Sequence, residues 1–248
     1  MITLKNIFKK FEDEYVLNDL SVNLEEGKCN VVIGESGSGK TVLMKSMVGL
    51  TEIDEGEILY DDRDFIRMTR KEKQELRKEM GMLFQGAALF DSLTIEENVM
   101  FPLNMFTTDT FSNKLDRVNF CLDRVGLKKV NKLMPAELSG GMKKRAAIAR
   151  AIAISPRYLF CDEPNSGLDP KTAIRIDNLI KEITIEYNMT TVVNSHDMNS
   201  VLEIGDRVIY IYMGCKCWEG TKEEVMHTDN EALNNFVFAT TMAQQLKK

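Results

Sequence analysis

Residues Gly34, Glu35, Ser36, Gly37, Ser38, Gly39, Lys40 and Thr41 spell a glycine-rich loop of the form G-x-x-x-x-G-K-T. Few local patterns restrict a fold as tightly. A short apolar run, Cys29–Ile33, precedes the loop, and a helix is expected after it from about Thr41 to Val48. A buried strand that turns through glycines into a helix belongs to an α/β architecture with a parallel sheet. The glycines let backbone N–H groups crowd round an anion, and the helix aims its positive end at the same point. The loop therefore predicts a nucleoside triphosphate site. Residues 34–39 offer backbone donors, Lys40 reaches the β- and γ-phosphates, and the Thr41 hydroxyl ligates Mg²⁺.

The rest of the chain fits that frame. Alternating stretches at Ile2–Ile7 and Val16–Leu24 predict antiparallel strands. Glu57–Tyr60 reads as another strand, and Thr69–Lys78 as a charged, exposed helix. From about Gln85 to Ser155 the pattern turns helical, most clearly at Asn113–Val125 and Gly141–Ile154. Strand signals return at Tyr158–Cys161, Thr191–Val193 and Arg207–Tyr212. Between the first two of these lies an expected helix, Pro170–Tyr187, with Asp169 as its cap and Pro170 in its first turn. The fold class is thus α/β: a mainly parallel core sheet, an antiparallel start and a helical subdomain over about 86–155. The main domain is expected to span 1–227. The remaining residues, 228–248, repeat apolar positions at Leu233, Phe236, Val237 and Met242, which is helical spacing. That extension should dock on its own domain or on a second copy.

Three further clusters carry chemistry. The apolar strand Tyr158–Cys161 ends in Asp162 and Glu163, and the C-terminal end of a parallel strand is where such sheets place ligands. There Asp162 would hold Mg²⁺ and Glu163 would orient and polarise an attacking water. Leu138, Ser139, Gly140, Gly141 and Met142 start a helix with small residues, leaving bare N–H groups and a hydroxyl for phosphate contact. His196 follows the strand Thr191–Asn194, so its imidazole could reach a γ-phosphate. Taken singly, a diglycine can be a turn and a histidine can serve a core hydrogen bond. Their order and spacing relative to the loop give them weight.

Bulk properties narrow the function classes. The net charge of −6 argues against a dedicated nucleic-acid binder, which carries a basic footprint. The longest apolar stretch, Ala146–Ile154, is short and interrupted by Arg150, so no transmembrane span is expected. The N-terminus lacks a signal-peptide core, which points to the cytoplasm and to a membrane role only through a partner. The five cysteines, Cys29, Cys121, Cys161, Cys215 and Cys217, show no second pair at metal-ligand spacing. Cys215 and Cys217 read as strand residues beside a turn at Gly214.

With these motifs in order, the chain resembles the ATP-binding cassette (ABC) family over nearly its whole length. Gly34–Thr41 matches the family's Walker A loop and Tyr158–Glu163 its Walker B strand. Leu138–Met142 matches the signature, Ser166–Asp169 the D-loop and His196 the switch histidine. Gln85, after Gly81–Phe84, matches the Q-loop that senses Mg²⁺ and faces the membrane partner, and Phe11 stands where an aromatic stacks on adenine. The resemblance implies an ATPase using ATP and Mg²⁺. Two copies would sandwich two nucleotides head to tail, with Lys40, Thr41, Gln85, Asp162, Glu163 and His196 of one facing Ser139, Gly140 and Gly141 of the other. Met142 replaces the usual Gln of the signature, a change expected to leave ATPase activity intact.

Phe84–Phe90, Asn98–Leu103 and the signature's continuation to Ala147 look like the Mla/MCE-type ATPases, which power phospholipid movement between the inner and outer membranes of diderm bacteria. That implies an integral-membrane permease, an MCE-type lipid-binding protein, and a position on the cytoplasmic face of the inner membrane. Other readings stay open at this point: an importer of a small solute such as an amino acid, a non-transport ABC ATPase, or a binding module without catalysis.

Overall fold

In the computed structural model, which describes residues 1–238, the chain begins with β1 (Ile2–Phe11), β2 (Glu14–Leu24), β3 (Cys29–Ile33), α1 (Lys40–Met47), β4 (Glu55–Tyr60) and β5 (Arg63–Asp64). The middle holds α2 (Arg70–Arg77), β6 (Met80–Leu83), α3 (Ile95–Phe106), α4 (Phe111–Arg124) and α5 (Gly140–Ile152). Then follow β7 (Tyr158–Asp162), α6 (Pro170–Glu186), β8 (Thr190–Ser195), α7 (Met198–Ile204) and β9 (Arg207–Tyr212). The described part closes with β10 (Cys215–Gly220), α8 (Lys222–Val225) and α9 (Glu231–Val237).

Two sheets result. The larger has the order β10-β9-β3-β8-β7-β6, parallel from β9 to β6 with β10 antiparallel at its edge. The smaller, β2-β1-β4-β5, is antiparallel. The strand period of two decides how they pack. In β3, Val31 and Ile33 face one apolar core while Val32 faces another; Leu159 and Cys161 oppose Tyr158 and Phe160 in the same way. The first core takes in residues of α3 to α7, and the second takes in α1 and the antiparallel sheet. Such a doubly covered strand is mainly apolar, as the fully buried Cys29–Ile33 and Tyr158–Asp162 are apart from Asn30 and the terminal Asp162. Each large side chain sealed there contributes roughly 1.5–3 kcal/mol.

The expected α/β layout is therefore observed, with local differences. The strand β6 falls in a stretch without a strand pattern, because its Met-Gly-Met-Leu lacks β-branched residues and is held by pairing with β7. Gly81 is needed there, since a Cβ would sit 2.4 Å from the carbonyl oxygen of Ala151 on α5. Helix α3 continues through Pro102, and α7 was not foreseen. Asp169 does cap α6, accepting from the Thr172 N–H at 3.0 Å, with Pro170 in the first turn. The tail helix α9 docks on its own chain: Leu233 is buried, Tyr210 donates to the Ala232 carbonyl at 3.3 Å, and Phe236 packs 5.5 Å from the Tyr210 ring. Met242 lies outside the described residues. Cys215 and Cys217 stand on β10 beside Gly214, as expected, and both are free thiols.

Candidate nucleotide site

The glycine-rich loop starts where β3 ends, at the edge of the sheet where β7 and β8 also end. Two of its glycines are dictated by space. Gly34 (φ 152°) would drive a Cβ to 2.3 Å from the Ile211 carbonyl oxygen, and Gly39 (φ 106°) would drive one to 2.6 Å from that of Val16. Gly39 leads into α1 without any side-chain cap, and the first turn of α1 holds no acidic residue. Elsewhere the chain does the opposite: α2, α3 and α8 begin with Thr–Glu capping boxes. The bare N-terminus of α1 thus leaves backbone donors and the positive helix end for an anion.

Lys40 is buried, and its Nζ donates to the carbonyls of Gly34 and Glu35, each at 2.8 Å. Burial pulls its pKa down, against the opposing pull of Glu163 and then Asp162. The Thr41 hydroxyl donates to Asp162 Oδ1 at 3.3 Å, and Asn194 Nδ2 donates to the same oxygen at 2.9 Å. Asp162 and Asn194 are register partners across β7 and β8. Next along the chain, Glu163 takes a left-handed backbone (φ 45°), its N–H donating to the Asn194 carbonyl at 3.1 Å. Its carboxylate is held on both sides: Gln85 Nε2 donates to Oε2 at 2.7 Å, and His196 Nδ1 lies 3.1 Å from Oε1.

Residues far apart in sequence thus converge: Gly34–Thr41, Gln85, Asp162, Glu163 and His196. Among the three expected Mg²⁺ residues, Thr41 and Asp162 pair with each other, and Gln85 sits against Glu163, the chain neighbour of Asp162. The donors fit ATP and Mg²⁺. A hydroxyl and a carboxylate are hard oxygen ligands of the kind Mg²⁺ takes one or two at a time alongside phosphate. The buried Ser38 Oγ, with no partner within the described residues, faces the same loop. No cluster of three or more His, Cys, Asp or Glu side chains suited to a metal occurs among the described residues.

Ser139, Gly140 and Gly141 are not part of this gathering. They line a separate cavity of about 720 Å³ with Gly167, Leu168 and Asp169. Ser139 is the N-cap of α5, its Oγ accepting from the Met142 N–H at 3.3 Å, and a Cβ on Gly141 would sit 2.6 Å from Thr172 Cγ2. Phe11 stands at the β1–β2 hairpin, 49% exposed, with Lys9 Nζ 5.4 Å from its ring centroid. The same hairpin reaches the loop through Val16. The sequence reading missed Asn194, whose only signal is a polar residue ending an apolar strand. It also missed Lys144 of α5, whose Nζ donates to the carbonyls of Gln85 and Glu163, because helical spacing alone does not reveal what a cation reaches.

A sequence model of the family described as ABC transporter matches residues 17–166. The chain is 38% identical, over 96% of its length and 90% of that protein, to the intermembrane phospholipid transport system ATP-binding protein MlaF of Haemophilus influenzae. It is 35% identical, over 96% of its length and 75% of that protein, to the methionine import ATP-binding protein MetN of Campylobacter jejuni. Among solved structures, the dimeric post-hydrolysis cassette MJ0796 bound to ADP and Pi superposes with a TM-score of 0.81 at 32% identity, covering 90% of this chain and 99% of that one. The cassette cbiO1 of Clostridium perfringens gives 0.85 at 25% identity, covering 100% and 98%. With the loop, the paired carboxylates and these likenesses together, the chain belongs to the ABC transporter family and is an ATPase that works on ATP with Mg²⁺.

Proposed function

We propose that this chain is the ATP-hydrolysing subunit of a transporter that moves phospholipid between inner and outer membranes, acting as a pair of copies beneath an integral-membrane permease. In this reading the cassette spans 1–227, with a helical subdomain over about 86–155 and an extension from 228. It sits on the cytoplasmic face of the inner membrane, and an MCE-type protein receives or supplies the lipid. No helix among the described residues is long and apolar enough to cross a membrane, so contact with the bilayer falls to the permease.

One observation carries the lipid reading. The stretches that look Mla/MCE-like, Phe84–Phe90 and Asn98–Leu103, fold into one unit. Asn98 is fully buried and knits it: its Oδ1 accepts from the Phe90 N–H at 2.7 Å, and its Nδ2 donates to the carbonyls of Phe90, Leu93 and Thr94 at 3.0–3.1 Å. The unit walls an apolar groove of about 380 Å³ with Phe84, Phe90, Phe101 and Pro102 on its sides. The likeness to MlaF over 90% of that protein supports the same reading.

At the site, the backbone donors of 34–39 and Lys40 would hold the phosphates, Thr41 and Asp162 the Mg²⁺, and Phe11 the adenine. When bound, MgATP supplies the phosphoryl group under attack and the cation that neutralises its charge. Glu163 accepts a proton from the attacking water on its carboxylate, which Gln85 and His196 hold in line. Gln85, which holds that carboxylate, directly follows Phe84 on the wall of the apolar groove. Ser139, Gly140 and Gly141 line a cavity separate from their own chain's loop, and in this reading they serve the loop of the second copy. Pairing then completes the electrostatic cradle, and hydrolysis releases it.

A small-solute importer is the second reading, favoured by the likeness to MetN proteins, including 41% identity over 212 residues to that of Clostridium tetani. Purifying the chain with its membrane partner and identifying bound lipid by mass spectrometry separates the two. Phospholipid held by the complex together with a lipid-carrying protein is the expected result. A complex that recruits a soluble solute-binding protein and holds no lipid overturns the phospholipid reading.

A further inference from the structure

Helix α5 does more than present Ser139 and the two glycines at its start. Lys144, 4% exposed, sends its Nζ to the carbonyl oxygens of Gln85 and Glu163, the latter at 3.3 Å. Further along the helix, Arg150 donates from Nη1 to the Ala88 carbonyl at 2.7 Å and from Nη2 to that of Ala87 at 2.9 Å. One helix therefore grips four carbonyls, three in the segment after β6 and one just beyond β7.

Three of the gripped residues are strained. Glu163, Ala87 and Ala88 have φ of 45°, 63° and 48°. A left-handed backbone is unfavourable for a non-glycine residue, so neither segment rests where its own sequence prefers. The ammonium is itself costly to bury, and burial pulls the Lys144 pKa down, against the weaker opposing pull of Cys161, Glu163 and Asp162. A buried cation set on the backbone of strained Glu163 and of Gln85, two residues before strained Ala87, rather than in an ion pair, is a holding device.

We propose that Lys144 is a positioning residue that ties the N-terminal end of α5 to the backbones of Gln85 and Glu163. Movement of α5 when Ser139–Gly141 dock on the second copy's nucleotide then reaches the backbone that carries the Glu163 carboxylate. The proposal rests on the split-site reading above and names the link between its halves. Arg150 fixes the far end of the same segment, so the pull is delivered at Gln85 and Glu163.

The test is ATP hydrolysis by the full-length chain carrying Lys144→Met or Lys144→Arg, measured at limiting and saturating MgATP beside Glu163→Gln. Lys144→Met keeps the length of the side chain and removes the donor. Its kcat is expected to fall about 10²-fold, the scale set by misplacing a catalytic group. KM and melting temperature should stay close to the parent's. Lys144→Arg, which can still reach a carbonyl, is expected to recover about tenfold of that loss. If Lys144→Met does not fold, Lys144→Leu, which also removes the donor, is read in its place. Should the methionine variant keep kcat within about twofold of the parent while Glu163→Gln is inactive, the proposal falls alone. A kcat loss that follows the fraction unfolded also overturns it, by assigning Lys144 to packing. Activity in Glu163→Gln overturns instead the reading on which the proposal rests.

Discussion

The Thr41 hydroxyl meets Asp162 Oδ1 at 3.3 Å across 121 positions of sequence. The two lie together because β3 and β7 end at the same edge of one parallel sheet, with β8 between them contributing Asn194 to the same carboxylate oxygen. Of all the pairs at the site, this one has the chemistry of a Mg²⁺ seat. Thr41→Val keeps the branched shape and removes the ligand oxygen. The Mg²⁺ concentration for half-maximal ATP hydrolysis should rise at least about tenfold, with melting temperature little changed. An unchanged Mg²⁺ dependence would remove Thr41 from the seat.

Ser139 has two duties that can be separated. As the cap of α5 it accepts the Met142 N–H, and in the paired copies it would meet phosphate. Aspartate caps a helix as well as serine does, so Ser139→Asp should preserve the fold. Its negative charge would repel a triphosphate presented by the second copy. ATP binding by the single chain is expected to stay within about threefold, while ATP-driven pairing and hydrolysis fall by about 10²-fold or more. Binding follows from nucleotide fluorescence and pairing from light scattering. Undiminished hydrolysis would contradict the split site.

Much of this was legible in the sequence because the loop's glycines are required by contacts inside the fold. Gly34 faces the Ile211 carbonyl and Gly39 that of Val16, so pattern and packing coincide. Asp162 and Glu163 were legible because an apolar strand ending in acid is a local signal. Asn194 and Lys144 were not, since each acquires its meaning from a backbone group brought near by the sheet. Strand β6 escaped for the same reason: pairing with β7 and a close approach of α5 over Gly81 hold it in place. The split between the glycine-rich loop and Ser139–Gly141 could be expected only from family resemblance.

Asp177 offers a pH test away from the nucleotide. It is 2% exposed; its Oδ2 accepts from Asn165 Nδ2 at 2.7 Å, and Asn165 also donates to Ser200 on α7 at 2.8 Å. Burial pushes the Asp177 carboxyl up to about 6, outweighing its hydrogen bonds to Asn165 and Ser200, with Asp197 and Glu203 pushing the same way as burial. The folded chain therefore binds this proton more tightly than the unfolded one. Its contribution favours folding at low pH and is lost as pH rises from about 4 to about 6. Relative to Asp177→Asn, the parent should lose on the order of 2–3 kcal/mol of stability across that window and change little from pH 7 to 9. Urea melts at several pH values measure it, and a constant difference from pH 4 to 7 would contradict the assignment.

Everything proposed about mechanism meets at Glu163, the carboxylate clasped by Gln85 and His196 and followed by the loop to Asp169. The measurement that bears on it most directly pairs phosphate release with light scattering for the full-length Glu163→Gln chain and its parent, with MgATP. Turnover of the variant should fall by about 10²-fold or more, with an ATP-dependent dimer that persists because ATP is no longer consumed. Phosphate release near the parental rate would contradict it.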